Sequence, residues 1–187
     1  TRWSIALAYK AERLTKSGLF SAGIEIYNKS ISIWPNNDRA KKGLAEAYII
    51  VGDVSEAVKT YGEIVQANNA DWQGWAGLAN AQAQSGQLDV ALEAYMRSLE
   101  INVYNALAHV GIGNILFKIK NDVLAEKHLS KAVELDPAMT EAYIYLAAIK
   151  VRRQDFKGAA LILNRGLVLA PAHEIGNMMK RELSQLD

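Results

Sequence analysis

The 187-residue sequence contains no cysteine, which excludes disulfide bonds and thiolate metal sites. Proline occurs only three times, and no apolar run approaches the roughly 20 residues that a membrane-spanning helix needs. The net charge is only +1, which argues against a protein that binds nucleic acid through a strongly basic surface. We therefore expect a soluble helical protein with no nucleic acid partner and no membrane insertion.

The cellular compartment stays open between cytoplasm and periplasm, because a chain without cysteine suits both. No signal peptide opens the sequence. The chain begins with Thr1 instead of methionine, so we expect either a processed protein or a piece of a longer one.

The sequence repeats itself every 34 residues. Self-similarity at a fixed period of this length is typical of stacked helical hairpins. One column of the repeat holds a turn glycine, and a second column, five positions later, holds a small residue. The two columns are Gly18, Gly52 and Gly86, and then Gly23, Ala57, Ala91, Ala125 and Ala159.

Within each unit, apolar residues lie three and four apart on both sides of the turn column. This spacing predicts two amphipathic helices joined by a tight turn. The final segment carries an apolar stripe without the small column, which predicts a capping helix. The predicted units are 4–37, 38–71, 72–105, 106–139 and 140–173, and the cap is 174–187 with Ile175, Met178, Met179, Leu183 and Leu186 on its stripe.

The residues of these columns resemble the tetratricopeptide repeat family over residues 4–173. The resemblance implies an all-α fold, a right-handed superhelical array (solenoid) of antiparallel helix-turn-helix hairpins that forms one domain over 1–187. Lys120 and Gln154 replace the turn glycine, which leaves the geometry of those two turns open. The resemblance is carried by Leu78, Ala79, Gly86, Ala91 and Tyr95, and by the closing prolines Pro35, Pro137 and Pro171.

The sequence shows no catalytic constellation. No helical metal motif, nucleophile elbow or phosphate-binding loop occurs, and His109, His128 and His173 lie far apart along the chain. Lone histidines of this kind are expected in helix packing. We predict a non-enzymatic protein without a cofactor or a metal site.

The family resemblance implies that the first helices of the hairpins line a concave groove that binds a partner protein. Glycine recurs there at Gly43, Gly77 and Gly111, with Tyr9 and Tyr145 at the two ends of the column. Glycine inside a helix costs about 1 kcal/mol relative to alanine, so the column needs a reason. Two explanations stay open, a trough for a peptide backbone and relief of crowding between neighbouring helices.

Asn80 and Asn114 share the next inward position, where an amide can donate to and accept from a peptide backbone. Basic side chains at both ends of the groove favour an acidic peptide, although Glu46 shares one end. The predicted peptide-binding residues are Tyr9, Arg39, Lys42, Gly43, Gly77, Asn80, Gln84, Val110, Gly111, Asn114, Phe117, Lys118, Tyr145 and Arg152, with Ile144 as a further apolar contact.

Two functions follow as hypotheses. The first is an adaptor that binds a peptide segment or a helix of a partner protein in the groove, so that Asn80→Ala or Gly77→Leu abolishes binding without unfolding the chain. The alternative is a scaffold that self-associates through its ends or its convex face. The apolar N-terminal edge, Trp3, Ile5 and Leu7, is expected to pack back on the first hairpin, and otherwise to mark such an end.

Overall fold

The computed structural model describes residues 1–184, and within that range the chain forms eleven α-helices and no β-strand. Consecutive helices pair as antiparallel hairpins, and α11 follows the fifth hairpin. The first helices of hairpins two to five begin at the residues where the sequence period starts a new unit. The helices are α1 (Arg2–Lys16), α2 (Phe20–Ile33), α3 (Asp38–Val51), α4 (Val54–Ala67), α5 (Trp72–Gln84), α6 (Leu88–Ile101), α7 (Ala106–Lys118), α8 (Asp122–Leu135), α9 (Thr140–Arg152), α10 (Phe156–Leu169) and α11 (Glu174–Leu183).

The helices form two compact units, Thr1–Asn102 with α1 to α6, and a second unit that begins at Val103 with α7 to α11. In the first unit the first helices contact each other, α1 with α3 and α3 with α5, and α2 and α4 pack against the first helix of the next hairpin. The second unit repeats this pattern, with α7 on α9, α8 on α9 and α10 on α11. Within each unit, the first helices therefore form a closely spaced inner layer.

Small residues permit this spacing. The alanines of both small columns are fully buried in the first unit, including Ala11, Ala45 and Ala57. A larger side chain at these positions would hold neighbouring helices apart. Tyr27 and Tyr61, only 3% and 4% exposed, supply apolar bulk between successive hairpins. The sequence thus specifies helix separation through its smallest residues and fills the remaining space with its largest.

The turns of the hairpins keep one backbone geometry despite the change of residue. Gly52 closes α3 in the left-handed region at φ 86°, and Lys120 and Gln154 adopt φ 63° at the equivalent turns of the second unit. A side chain in this conformation costs roughly 1–2 kcal/mol because its Cβ crowds the following carbonyl. The replacements therefore cost stability but leave the shape of the hairpin unchanged.

The two ends differ from expectation. Leu183 is buried and Met179 packs on the same cluster beneath α10, but Ile175 and Met178 are about half exposed, so they lie off the buried stripe. Leu186 lies outside the described residues. At the other end, Trp3 is 79% exposed, which shows that it does not pack back on the first hairpin. The reason is that Ser4 turns inward instead, where its Oγ accepts a hydrogen bond from Asn37 Nδ2 at 2.8 Å.

Candidate functional site

The glycines on the inner face of the first unit are packed against tyrosines. A Cβ atom at Gly43 would overlap the phenol ring of Tyr27, and one at Gly77 would overlap the ring of Tyr61. Both tyrosines belong to the second helix of the preceding hairpin. Relief of crowding therefore accounts for these two glycines without a ligand, and Gly77→Leu would disturb the core instead of testing the groove alone.

Sequence reasoning identified both columns but missed their connection. The tyrosine stands 16 residues before the glycine in each case, from 27 to 43 and from 61 to 77. The second unit reverses the sizes in the same register, with Leu129 followed at the same interval by Tyr145. A constant interval between a large and a small residue is the signal that predicts such packing.

The predicted basic residue Arg39 is held inside the first unit. Its guanidinium lies 4.1 Å from the centroid of the Tyr9 ring and 2.6 Å from a carboxylate oxygen of Glu12. Lys16 binds the same carboxylate at 2.8 Å, and hydrogen bonds from both cations lower the pKa of Glu12. Tyr9 and Arg39 are therefore close together, as the groove prediction requires, but the charge of Arg39 is already compensated.

Lys42 is compensated in the same way. Its ammonium group lies 2.7 Å from the Asp71 carboxylate and donates a hydrogen bond to the Gln73 side chain at 3.1 Å. Asp71 also caps α5 by accepting a hydrogen bond from the backbone of Gln73. This contact ties α3 to the start of α5, so Lys42 serves the helix array and is not a free cation for an acidic ligand.

Between these ion pairs the first unit contains an open cleft of about 680 Å³. Glu46 lies in it and forms no ion pair with the described residues. The cleft walls remove water from around the Glu46 carboxylate, which raises its pKa, and the charge of Glu12 adds to this rise while Lys42 opposes it. The cleft therefore carries an uncompensated negative charge.

The repeat register places Glu12, Glu46 and Asn80 in one column, at intervals of 34 residues. Asn80 is exposed and lies within hydrogen-bond distance of Gln84, one turn further along α5, at 3.4 Å. The column thus changes from carboxylate to amide along the first unit. The sequence prediction named only the amides of this column as ligands, although its carboxylates share their position.

On the inner face of the second unit, aromatic rings replace the carboxylates. Phe117 and Tyr145 lie with ring centroids 5.6 Å apart, and the Arg152 guanidinium covers Phe117 at 3.9 Å from the ring centroid. Arg152 also pairs with Asp122. The structure brings these three predicted residues together, and it compensates the charge of Arg152 as it does that of Arg39.

The remaining predicted residues of the second unit divide between core and surface. Asn114 hydrogen bonds to Tyr145, whose pKa burial raises to about 12. Val110 is only 4% exposed, so it packs in the helix array, and the prediction that it contacts a ligand loses its support. Ile144 is buried for the same reason. Lys118 is exposed, and Gly111 is half-buried.

Two histidines that are far apart in the sequence meet in the fourth hairpin. The Nδ1 atoms of His109 and His128 lie 3.0 Å apart beside a cleft of about 450 Å³. Burial lowers the pKa of both, and for His128 the charge of a protonated His109 lowers it further. The antiparallel hairpin explains the contact, because it places the first turn of α7 next to the middle of α8. His173 lies elsewhere and caps α11.

Within residues 1–184, no helix is both long enough and apolar enough to cross a membrane. Over the same range, histidine, cysteine, aspartate and glutamate form no group of three or more that could hold a metal ion.

Comparison with known proteins identifies the class. Two sequence models described as tetratricopeptide repeat match residues 14–80 and 77–139, which together span more than half of the chain. The helical array matches solved tetratricopeptide repeat structures as well. The chain belongs to the tetratricopeptide repeat family.

Individual relatives are distant. The chain is 22% identical over 198 residues to the human protein O-mannosyl-transferase TMTC1, covering 98% of this chain but only 22% of that protein. It superimposes on a thermophilic tetratricopeptide repeat protein of Thermus thermophilus with a TM-score of 0.83 at 18% identity, covering 97% and 99% of the two chains. For YrrB, described as having an unusual peptide-binding site, the TM-score is 0.64 at 17% identity, with 95% and 92% covered. The chain thus spans about a fifth of its human relative.

Proposed function

We propose that this protein is a non-enzymatic adaptor whose first helices bind a peptide segment of a partner protein. The observation that carries the proposal is the open cleft of the first unit, which is lined by polar side chains and by an uncompensated Glu46. Tetratricopeptide repeats are protein interaction modules in general, and a solved relative is described as having a peptide-binding site.

The inner face suits an extended segment because its groups are of two kinds. Asn80 and Gln84 are exposed amides, which can donate to and accept from a peptide backbone. Phe117 and Tyr145 in the second unit are half-buried rings that offer apolar contact. Each unit by itself therefore presents groups that bind a peptide, and we propose both faces as sites.

The test is selection of short random peptides displayed on phage against the full chain, followed by measurement of Kd by fluorescence polarisation. The variant Asn80→Ala/Gln84→Ala is expected to raise the Kd of a selected peptide about tenfold, since each lost hydrogen bond is worth about 0.5–1.5 kcal/mol. The matched control is Glu93→Ala, an exposed position on α6. Equal loss in both variants, or a selection that enriches no peptide, would contradict the proposal.

Self-association is the second candidate function, and one observation favours it. Trp3 is 79% exposed and Ile5 is 39% exposed at the N-terminal edge, an apolar surface that a second copy would cover. Light scattering over a range of concentrations tests this. A mass that rises with concentration in the wild type but not in Trp3→Ser supports a scaffold, whereas a constant monomer mass rejects it.

A further inference from the structure

The charges in the cleft of the first unit do not cancel locally. Its lining includes three acidic and three basic side chains. The three cations all have carboxylate partners at short distance, two of them on Glu12 and one on Asp71. The acidic members of the lining are Glu12, Asp38 and Glu46, and the basic members are Lys16, Arg39 and Lys42.

The two remaining carboxylates are not equivalent. Asp38 is the first residue of α3, where the partial positive charge of the helix N-terminus stabilises an anion. Glu46 lies in the middle of the same helix, where no such compensation exists. Glu46 is therefore the one carboxylate of the cleft lining that has neither an ion pair among the described residues nor a helix terminus beside it.

Apolar side chains flank this carboxylate. Phe20, Ala47 and Ile50 line the same cleft, and the Ile50 side chain is 61% exposed. Lysine and arginine carry a methylene stem that packs on apolar surface and a charged end that seeks a polar partner. The cleft thus offers apolar contact for the stem and a carboxylate for the charged end.

We infer that this cleft binds a lysine or arginine side chain of the ligand peptide, with the Glu46 carboxylate as its partner. The inference rests on the proposed function, because it names the chemistry of the segment that the first helices bind. It reverses the expectation of an acidic ligand for this unit. Arg39 and Lys42, the residues that suggested one, are neutralised internally, so an acidic segment would meet Glu46 without a free cation beside it.

The raised pKa of Glu46 agrees with this geometry. Loss of water within the cleft disfavours its ionised form, and the nearby Glu12 adds to the effect. A bound cation would restore the missing compensation. The pKa alone would not identify a ligand, but it shows that nothing in the folded chain fully replaces one.

The experiment uses a peptide selected from the displayed library and the full chain. Each lysine or arginine of the peptide is replaced in turn by norleucine, which keeps the apolar stem and removes the charge. Each peptide is then measured on the wild type, on Glu46→Gln, and on the control Glu25→Gln. Glu25 is an exposed carboxylate of α2 that does not line the cleft.

We expect one basic position whose replacement raises Kd about tenfold on the wild type and on Glu25→Gln, but hardly at all on Glu46→Gln. Selected peptides that bind the first helices without any such coupling would overturn this inference and leave the proposed function standing. A selection that enriches no peptide would remove both.

Stability distinguishes a binding role from a structural one. Because the pKa of Glu46 is raised in the folded state, the ionised carboxylate opposes folding at neutral pH, and this cost is relieved as pH falls below the folded-state pKa. Glu46→Gln is therefore expected to unfold at the same denaturant concentration as the wild type or at a higher one. A lower midpoint would show that Glu46 supports the fold, and would overturn the inference.

Discussion

The inner faces of the two units differ in chemistry although their helices follow one pattern. The first unit presents an open cleft with a free carboxylate at Glu46, and the second presents Phe117 and Tyr145 with Arg152 covering the aromatic pair. Both faces rest on the same buried columns of small residues. The comparison teaches that the columns between helices fix the array, while the inward positions are free to vary with the ligand.

The units also divide space differently between adjacent hairpins. In the first unit a tyrosine ring occupies the place of a missing side chain, Tyr61 against Gly77. In the second unit Leu129 stands in the tyrosine column and Tyr145 in the glycine column. The inner surface is consequently bare backbone in one unit and an aromatic ring in the other.

The largest effect is expected where this packing is broken. Gly77→Ala should lower the free energy of unfolding by about 1–3 kcal/mol, because its Cβ would overlap the Tyr61 ring and the buried ring has little room to move. Urea denaturation measures this. The control is Gly62→Ala in α4, where a Cβ meets nothing within 4 Å and alanine should stabilise the helix by about 1 kcal/mol.

A double-mutant cycle sharpens the same comparison. Adding Tyr61→Leu, the residue type of the second unit, should recover part of the loss caused by Gly77→Ala, with a coupling energy of about 1 kcal/mol. Additive effects would show that the two columns do not depend on each other.

The next effect concerns the turns. Lys120→Gly should raise the free energy of unfolding by about 0.5–1 kcal/mol, because glycine adopts φ 63° without steric cost while gaining some entropy in the unfolded chain. Thermal unfolding of Lys120→Gly and Gln154→Gly measures it. Gly52→Ala in the first unit is the reverse control and should destabilise, and a gain in stability there would contradict the account.

A smaller effect is expected from the arginine that covers the aromatic pair of the second unit. Arg152→Ala should cost about 1 kcal/mol or less, because a partly exposed cation–π contact and ion pair contribute modestly. The loss of stability should also shrink at high salt. A salt-independent loss would show that Arg152 acts through packing on Phe117 alone.

The histidine pair predicts a pH dependence confined to the second unit. Burial lowers the pKa of His109 and His128 in the folded state, so the unfolded chain binds more protons below their ordinary pKa. Stability should therefore fall as the pH is lowered from about 7.5 to 5. The fall should be weaker in His128→Gln and unchanged in His173→Asn, which keeps an acceptor at the α11 N-cap. An equal fall in all three proteins would assign it to other groups.

The sequence predicted the fold well because its strongest signals are local. Turn glycines and buried alanines recur at a fixed interval, and each one specifies a helix end or a helix separation that needs no knowledge of distant parts. Lys120 and Gln154 were correctly placed in turns for the same reason, since the register identified them even without glycine.

The candidate site was less predictable because it depends on pairing between side chains. Arg39 and Lys42 were assigned to an acidic ligand, but which carboxylates would reach them is decided by contacts between hairpins. Likewise His109 and His128 are joined only by the antiparallel hairpin. The chain reveals which residues face inward, but their partners emerge only when the helices are packed.

The most direct test of peptide binding by the first helices is site-specific photo-crosslinking with a selected peptide. A benzophenone side chain is placed at Gln84 on α5 or at Glu93 on α6, both exposed and in the same hairpin. The account predicts a crosslink from position 84 and none from position 93. A crosslink from position 93 alone would place the ligand on the second helices and contradict the central claim.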